Sequence, residues 1–311
     1  MACLEKRIAI IGGSGVVELP QLKYAPIKKF NTKFQKEADS TFLERAASRW
    51  FGALGPGVVE YQEVDDIIFI KRHGFTKGYA PSETQYIANL IAAKMLGAEI
   101  VIGTTAVGSL HKDRICVEDL VVPHTYIDET QGRVINPFGS KLVPHANRWP
   151  TFSEGLRKIL IDCAKESDDC FEEVHEQGTY VCIPGDSFGT EGEHNKRKQY
   201  ADIVGMTIFP EALAFLFGMP YASAAFVVDL DKDASHEHGT RAIMRKMSEP
   251  HRVPAYMQRV INKTRIFVSN LDNIKKDISI QLVGNIIDYC PEKIENKYLR
   301  HIALHETIRY I

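Results

Sequence analysis

Residues 81–110, PSETQYIANLIAAKMLGAEIVIGTTAVGSL, carry the alternation of helix and strand from which the fold can be predicted. The apolar positions of the first half recur with the period of a helix, and they are Ile87, Leu90, Ile91 and Met95. Ser82 could cap the start of this helix, and Gly97 suits the position just after its end. The apolar run at 99–102 predicts a buried strand, and the small and hydroxyl side chains at 104–110 predict a loop after it.

The same alternation continues on both sides of this stretch. Further strands are predicted at 8–11, 66–71, 119–122, 179–183 and 222–228. Helices are predicted around 156–163, from Pro210 to Gly218, and at 254–272. Because the sequence contains no internal repeat and no obvious linker, we expect residues 1–311 to form a single α/β domain, with helices flanking a parallel or mixed central sheet. In such sheets, ligands bind at the carboxyl ends of strands.

The composition is that of an ordinary soluble globular protein: 311 residues, 44% hydrophobic and 25% charged, with a formal net charge of -2. No long block of Lys and Arg suggests a nucleic-acid partner. The six cysteines form no Cys-x-x-Cys pair, and no apolar run is long enough to span a membrane. Since the first residues lack the apolar region of a signal peptide, we expect a cytoplasmic protein with reduced thiols.

A glycine-rich turn, Gly12-Gly13-Ser14-Gly15, follows the first predicted strand. It invites comparison with a dinucleotide-binding loop, but Glu18 occupies the third glycine position of that motif and Pro20 interrupts an early helix. A dehydrogenase is therefore disfavoured. The turn could still hold a single anion with its backbone N–H groups and the Ser14 hydroxyl, or be a plain tight turn in which Ser14 caps itself.

Two further motifs have the chemistry of an oxyanion site. Arg72, His73 and Gly74 directly follow the predicted strand at 66–71. The arginine fork fits phosphate oxygens, and the histidine adds a titratable donor. The hydroxyls and amides at 104–110 also suit an oxyanion. Taken singly, such an Arg–His pair is commonly just solvated, and the threonines could form an ordinary transition from strand to loop.

Met206, Thr207 and Glu211 form a third polar motif, after an apolar run that ends at Val204. In a functional interpretation, Met206 contacts the apolar face of a sugar, Thr207 binds phosphate and Glu211 binds sugar hydroxyls. In the plain interpretation, the methionine belongs to the core and Pro210 with Glu211 merely starts a helix.

Asp229 and Asp231 end the predicted strand at 222–228. In an extended chain they point to the same side, and two close acids raise the pKa of one, which could then donate a proton near neutral pH. Metal binding competes with this interpretation, because paired carboxylates suit hard cations. We expect no metal, because only His236-Glu-His238 lies nearby to complete a ligand set. A plain surface acid pair is the commoner case.

Together the motifs occur in an order that resembles the trimeric purine nucleoside phosphorylase and methylthioadenosine phosphorylase family. The resemblance runs from about residue 7 to about residue 265. It implies a phosphate site made of Ser14, Arg72, His73, Thr105, Ala106 and Thr207. It also implies that Met206 contacts the ribose and Phe188 stacks on the purine, while Asp229 and Asp231 address N7 and the 6-amino group.

The resemblance further implies phosphate-dependent cleavage of an N-glycosidic bond, with inorganic phosphate as co-substrate, no metal or organic cofactor, and a homotrimer with sites at subunit boundaries. Because acids accept hydrogen bonds from an amino group, we expect a 6-aminopurine. The expected reaction converts 5′-methylthioadenosine to adenine and 5-methylthioribose 1-phosphate. Phosphorolysis of inosine, guanosine or adenosine, and a non-catalytic nucleoside-binding paralogue, are the alternatives.

Beside single-residue differences such as Lys77 and Leu142, the sequence departs from the family pattern over two longer stretches. Pro184-Gly-Asp-Ser-Phe188 stands where family members usually carry Glu-Gly-Pro-Arg-Phe. Residues 266–311 form a divergent C-terminal extension with no clear counterpart. The first departure disturbs the base pocket and leaves the phosphate motifs intact, so we expect any difference from the family to lie in substrate preference.

Overall fold

The computed structural model describes residues 6–13, 16, 19–31, 58–76, 78–133, 148–167, 169–230 and 237–271. The described strands are β1 (Arg7–Gly12), β2 (Lys28–Asn31), β3 (Val58–Val64), β4 (Ile67–Lys71), β5 (Ala98–Ser109), β6 (Leu120–Val121), β7 (Thr125–Asp128), β8 (Val174–His175), β9 (Thr179–Cys182), β10 (Ile203–Gly205) and β11 (Tyr221–Leu230). The described α-helices are α1 (Tyr86–Met95), α2 (Glu154–Lys165), α3 (Glu191–Arg197), α4 (Ile208–Glu211), α5 (Glu237–Met247) and α6 (Val253–Ser269). Short 3-10 helices cover Pro20–Leu22 and Ala212–Phe217.

All of these strands belong to one mixed sheet. Its main path runs β2-β3-β4-β1-β5-β10-β9-β7, while β11 pairs with β5 and β6, and β8 pairs with β6. β1 is parallel to β4 and β5, and β11 is parallel to β5, whereas β10 is antiparallel to β5. The predicted α/β class with a mixed central sheet is confirmed.

Helices cover both faces of the sheet because alternate residues of each central strand point to opposite sides. Ala9 and Ile11 of β1 pack in one core cluster with α1 and the segment 208–214. Ile8 and Ile10 pack in the other cluster with α2 and α6. Burial on both faces explains why β1, β4 and the first half of β5 are continuous apolar runs.

Two local predictions are wrong. Residues 104–109 were expected in a loop but belong to β5, because β11 pairs with that strand from Val101 to Ser109. Ser82 was expected to cap α1, but the helix begins at Tyr86, and the Ser82 backbone and hydroxyl bind Asp186 instead.

The predicted helical segments are otherwise close to those observed. α6 begins one residue before the predicted helix and ends three residues earlier than expected. The segment from 210 continues as a 3-10 helix and ends at Gly218, whose φ of 68° is the left-handed conformation that glycine favours. None of the described helices is long and apolar enough to cross a membrane. Most of the predicted C-terminal extension, residues 272–311, lies outside the described residues.

Candidate active site

The candidate site lies at an opening where one edge of β5 has no neighbouring strand in the described part of the chain. On that edge, β1 pairs with β5 as far as Gly103, and pairing with β10 begins at Gly108. Among the described strands, β11 alone runs beside residues 104–107, on the other edge. Because β1 is parallel and β10 antiparallel to β5, the chain leaving each of them enters this opening. Gly13 after β1 and the Met206-Thr207 segment after β10 therefore converge on Thr104 and Thr105.

Arg72, directly after β4, crosses this opening with its side chain buried. Its Nη1 donates to the Thr104 carbonyl at 2.8 Å, and its Nη2 donates to the Ile11 carbonyl at 3.2 Å. Nη2 also donates to Glu211 Oε2 at 2.8 Å, and Nε donates to Glu211 Oε1. The side chains of Arg72 and Glu211 are 1% and 0% exposed. Burial opposes the arginine charge, but the adjacent Glu211 carboxylate outweighs it, so the pKa of Arg72 lies above its ordinary value.

These contacts correct the expectation that Arg72 presents its fork to phosphate. A guanidinium has five N–H groups, and the described contacts use four of them. The Nε and Nη2 side of the guanidinium faces Glu211. One hydrogen on Nη1 therefore remains for an anion. Gly13 lies against this atom, since a Cβ at Gly13 would overlap Arg72 Nη1. Arg72 can therefore offer a single hydrogen bond beside the glycine turn.

The same geometry gives Glu211 a different place from the expected one. Sequence reasoning assigned it to sugar hydroxyls, but its carboxylate is fully buried between Arg72 and the Tyr221 hydroxyl, which lies 3.2 Å from Oε2. In this conformation, the Glu211 carboxylate is turned into the protein and orients Arg72. A contact with a sugar would require it to leave the arginine.

The hydroxyls of Thr105 and Thr207 meet in the same opening. Their Oγ1 atoms lie 2.9 Å apart, although the residues are 102 positions apart in the chain. The fully buried Tyr180 supports the pair: its hydroxyl lies 3.4 Å from Thr105 Oγ1 and accepts from the Thr207 backbone N–H at 3.4 Å. Ala106 follows Thr105 in β5 and is half-buried. Arg72, Thr105 and Thr207 are thus brought together as the sequence predicted.

His73 lies next to this group and is fixed by the segment before α1. Its Nδ1 lies 2.9 Å from Thr84 Oγ1, and Thr84 Oγ1 donates to the Ala80 carbonyl at 2.9 Å. Burial, reinforced by the neighbouring charge of Arg72, lowers the pKa of His73 to about 4. The ring is therefore neutral at physiological pH.

Met206 connects the anion group to the loop that carries Phe188. A Cβ at Gly185 would come within 3.0 Å of Met206 Sδ, so this loop and the methionine lie against each other. Phe188 itself is 64% exposed. Asp186 accepts hydrogen bonds from the Ser82 hydroxyl and, at 3.2 Å, from the Ser82 backbone N–H. Phe188 therefore extends from a loop held at the surface, next to Met206.

Arg133 is a residue of this region that sequence reasoning missed. Its Nη1 donates to the Met206 carbonyl at 2.7 Å, and its Nη2 donates to the Pro184 carbonyl at 2.7 Å. The guanidinium carbon lies 4.7 Å from the centroid of the Tyr86 ring. Arg133 thus ties the Met206 segment to the Phe188 loop. A lone arginine that binds distant backbone carbonyls has no local motif by which the sequence could reveal it.

Asp229 lies at the end of β11, after a register shift, and pairs with Gly108 of β5. Gly108 pairs on its other edge with Val204, two residues before Met206. The register thus places half-buried Asp229 and the Met206 segment on the two sides of one glycine. Two predicted site residues, Ser14 and Asp231, lie outside the described residues.

Among the described residues, one group of side chains has the spacing of metal ligands. Single ligand atoms of Asp119, Glu173 and His175 lie within 4.8 Å of one another. However, Asp119 Oδ2 already bonds to His175 Nε2 at 2.8 Å and to the Cys116 N–H at 2.7 Å. The absence of a metal or organic cofactor remains a prediction.

The fold and this geometry define an α/β protein in which a buried group of arginine and threonine side chains lies near a loop with an exposed aromatic ring and near a strand-end carboxylate. Comparison with known proteins identifies the family. The family model described as the Phosphorylase superfamily matches residues 7–253, and the chain belongs to this family.

Two relatives from archaea share one name. The chain is 34% identical over 261 residues to S-methyl-5'-thioadenosine phosphorylase of Pyrococcus horikoshii, covering 83% of this chain and 92% of the relative. It is 34% identical over 291 residues to the protein of the same name from Saccharolobus solfataricus, covering 93% and 91%.

Solved structures give a similar result. A methylthioadenosine phosphorylase from an antarctic soil metagenomic library is 28% identical, with a TM-score of 0.66 and coverage of 83% of this chain and 85% of that one. A variant adenosine/methylthioadenosine phosphorylase from Schistosoma mansoni, in complex with methylthioadenosine, is 26% identical, with a TM-score of 0.69 and coverage of 91% and 100%.

Proposed function

We propose that the chain catalyses the phosphorolysis of 5′-methylthioadenosine to adenine and 5-methylthioribose 1-phosphate. The observation that carries this proposal is the convergence of Arg72, Thr105 and Thr207 at the open edge of β5. Family membership and the names of the relatives support the same reaction.

In the proposed phosphate site, one Arg72 N–H and the hydroxyls of Thr105 and Thr207 donate to phosphate oxygens. The two hydroxyls would then turn from each other to the ligand, because each has a single hydrogen. The Ala106 amide, the Ser14 hydroxyl and the ring of His73 complete the set. Such groups are fixed before the ligand arrives, so little reorganisation accompanies binding. Because Glu211 already neutralises Arg72, hydrogen-bond dipoles carry most of the attraction for the anion.

In the proposed reaction, a phosphate oxygen forms a bond to C1′ of the sugar while the bond from C1′ to the purine N9 breaks. The electron pair of that bond moves onto the purine, and Asp229 donates a proton at N7. The bound phosphate stabilises the positive charge that develops on the sugar. Asp231 would accept a hydrogen bond from the 6-amino group.

The sugar and base would lie between Met206 and Phe188. The exposed ring of Phe188 would stack on the purine, and Met206 would offer an apolar surface to the ribose. Inorganic phosphate is the co-substrate, and we propose no metal or organic cofactor. We also propose a cytoplasmic homotrimer with sites at subunit boundaries, which sedimentation analysis would test by its mass.

The deciding experiment incubates the protein with methylthioadenosine, adenosine and inosine, each with and without phosphate. We expect adenine from methylthioadenosine only when phosphate is present. Release of base without phosphate would show a hydrolase, and binding without product would show a non-catalytic paralogue. The loop at 184–188 differs from the family pattern and is bound to Ser82 through Asp186, so a difference from the relatives is most expected in the choice of base. Turnover of inosine alone would therefore assign a 6-oxopurine phosphorylase.

Asp229→Asn tests the proton donor. Loss of a general acid typically lowers the rate about 10²-fold to 10⁴-fold, so we expect a fall in kcat of that size. Asp128 ends β7 as Asp229 ends β11, and it binds only Thr130 in the described contacts. Asp128→Asn is therefore the matched control, with unchanged kcat expected. Equal kcat values for Asp229→Asn and wild type would remove Asp229 from the reaction.

A further inference from the structure

We propose that His73 accepts a hydrogen bond from the bound anion through an unprotonated Nε2. The anion site then selects oxyanions that carry a hydrogen, such as HPO₄²⁻ and HAsO₄²⁻, over sulfate. This inference rests on the proposed function, which places His73 at the phosphate.

The tautomer follows from the partners of Thr84. A threonine hydroxyl has one hydrogen, and Thr84 Oγ1 donates it to the Ala80 carbonyl at 2.9 Å. His73 Nδ1 lies 2.9 Å from the same oxygen, so Nδ1 must be the donor in that contact. In a neutral imidazole, the other nitrogen then has a free lone pair. Thr84 therefore leaves Nε2 as an acceptor.

The surroundings of His73 keep the ring neutral. Burial is the largest cause of its lowered pKa, and the charges of Arg72 and Lys71 act in the same direction. A hydrogen bond from a ring N–H to the Tyr79 backbone opposes them with a smaller effect. A positively charged ring would donate from both nitrogens and would bind either anion. The neutral ring cannot donate from Nε2, so its contact with an anion requires a hydrogen on the anion.

Sulfate and hydrogen phosphate have similar size and the same charge near neutral pH, but sulfate has no hydrogen to donate. In the proposed site, Thr105, Thr207 and the remaining Arg72 N–H could serve both anions. Only Nε2 distinguishes the two anions. Its lone pair would face a lone pair of a sulfate oxygen, and the two would repel, whereas hydrogen phosphate can donate its hydrogen to Nε2. An unmade hydrogen bond at a buried site weakens binding by about tenfold to a hundredfold, which is the selectivity we expect.

The test measures anion binding and turnover separately. Isothermal titration of the full chain with sodium phosphate and with sodium sulfate, at pH 7.5 and matched ionic strength, gives the ratio of the two Kd values. Wild type should prefer phosphate by about tenfold or more. Equal affinities, or no binding of either anion, would overturn the inference. Selective phosphate binding without any phosphorolysis would instead refute the proposed function and leave the inference standing.

Two variants at Thr84 identify the cause of the selectivity. Thr84→Val removes the acceptor that fixes the tautomer and keeps the side-chain shape, so we expect the ratio of Kd values to fall at least about threefold. Thr84→Ser keeps the hydroxyl and should keep the ratio. Nitrogen-15 NMR of the histidine ring reports the tautomer directly and should show a protonated Nδ1 in wild type. A protonated Nε2 in wild type, or an unchanged ratio in Thr84→Val, would contradict the proposal.

Discussion

The anion end and the nucleoside end of the proposed site are held by different kinds of contact. At the anion end, Arg72, Thr105 and Thr207 are buried, and each binds a group from another element of the fold. At the nucleoside end, Phe188 is 64% exposed on a loop held from outside by the contact of Asp186 with Ser82. The groups proposed to bind the anion are thus part of the core, whereas the ring proposed to stack on the base is attached to its surface.

This difference suggests how the two ends can change. A substitution at the anion end removes contacts that also stabilise the fold, so binding and stability should fall together. A substitution at the nucleoside end should alter binding with little effect on stability. The departure from the family pattern at 184–188 agrees with this distinction, since it lies in the Phe188 loop while the phosphate motifs are kept. Substitutions at the two ends test this coupling.

The largest effect on stability is expected from Glu211→Ala. It leaves the buried charge of Arg72 without its partner, and loss of one member of a buried pair typically costs about 3–5 kcal/mol of unfolding free energy. Urea denaturation followed by circular dichroism measures the loss. In the exposed Lys158–Asp162 pair, Asp162→Ala is the control and should cost less than about 1 kcal/mol. Similar losses in the two variants would contradict the structural role of Glu211.

Thr207→Val should weaken both stability and phosphate binding. Loss of its hydrogen bond with Thr105 costs about 1 kcal/mol of stability, and loss of a donor to a charged ligand raises the Kd for phosphate about tenfold to a hundredfold. Thr125→Val is the matched control, because Thr125 and Thr151 form a hydroxyl pair at 3.2 Å at the sheet edge. It should lower stability similarly and leave the Kd for phosphate unchanged. Equal changes of Kd in both variants would place Thr207 outside the site.

The two ends also differ in what the sequence could predict. The residues proposed to bind the anion come after continuous apolar runs in the sequence, so their common edge could be predicted from the α/β pattern. The direction of the Arg72 fork could not, because Glu211 lies 139 positions away and only the folded chain brings the two together. The extension of β5 through residues 104–109 likewise depends on pairing with β11.

At the nucleoside end, the sequence predicted which residues form the proposed site but not the contacts that hold them in position. Arg133 acts through backbone carbonyls, which carry no sequence signal, and Ser82 has the local pattern of a helix cap but binds Asp186. Asp229 could be placed at a strand end from its apolar run, yet its position beside Gly108 depends on a register shift. Local periodicity gives the elements, and long-range contacts decide where their polar side chains point.

Phe188→Ala should change nucleoside binding alone. Aromatic stacking contributes about 0.5–1.5 kcal/mol, so the KM for methylthioadenosine should rise about twofold to tenfold. Because the ring is mostly exposed, the unfolding free energy should stay within about 0.5 kcal/mol of wild type. Ile266→Ala, on the exposed side of α6, is the control with unchanged KM. A large loss of stability in Phe188→Ala would show that the nucleoside end is also part of the core.

The smallest expected effect is the contribution of His73 to the pH dependence of stability. Its folded pKa of about 4 lies below the ordinary value of 6.5, so between these values the unfolded chain binds a proton that the folded chain excludes. Stability should therefore fall as the pH drops from 6.5, and this contribution should level off near pH 4.

In His73→Gln this contribution is absent, so the loss between pH 6.5 and 5.5 should be smaller than in wild type by less than about 1 kcal/mol. Urea unfolding of both proteins at the two pH values measures the difference, and the other histidines contribute equally to both. Parallel pH curves would show that His73 is protonated in the folded chain, and the anion end would then carry a positive charge that Glu211 does not neutralise.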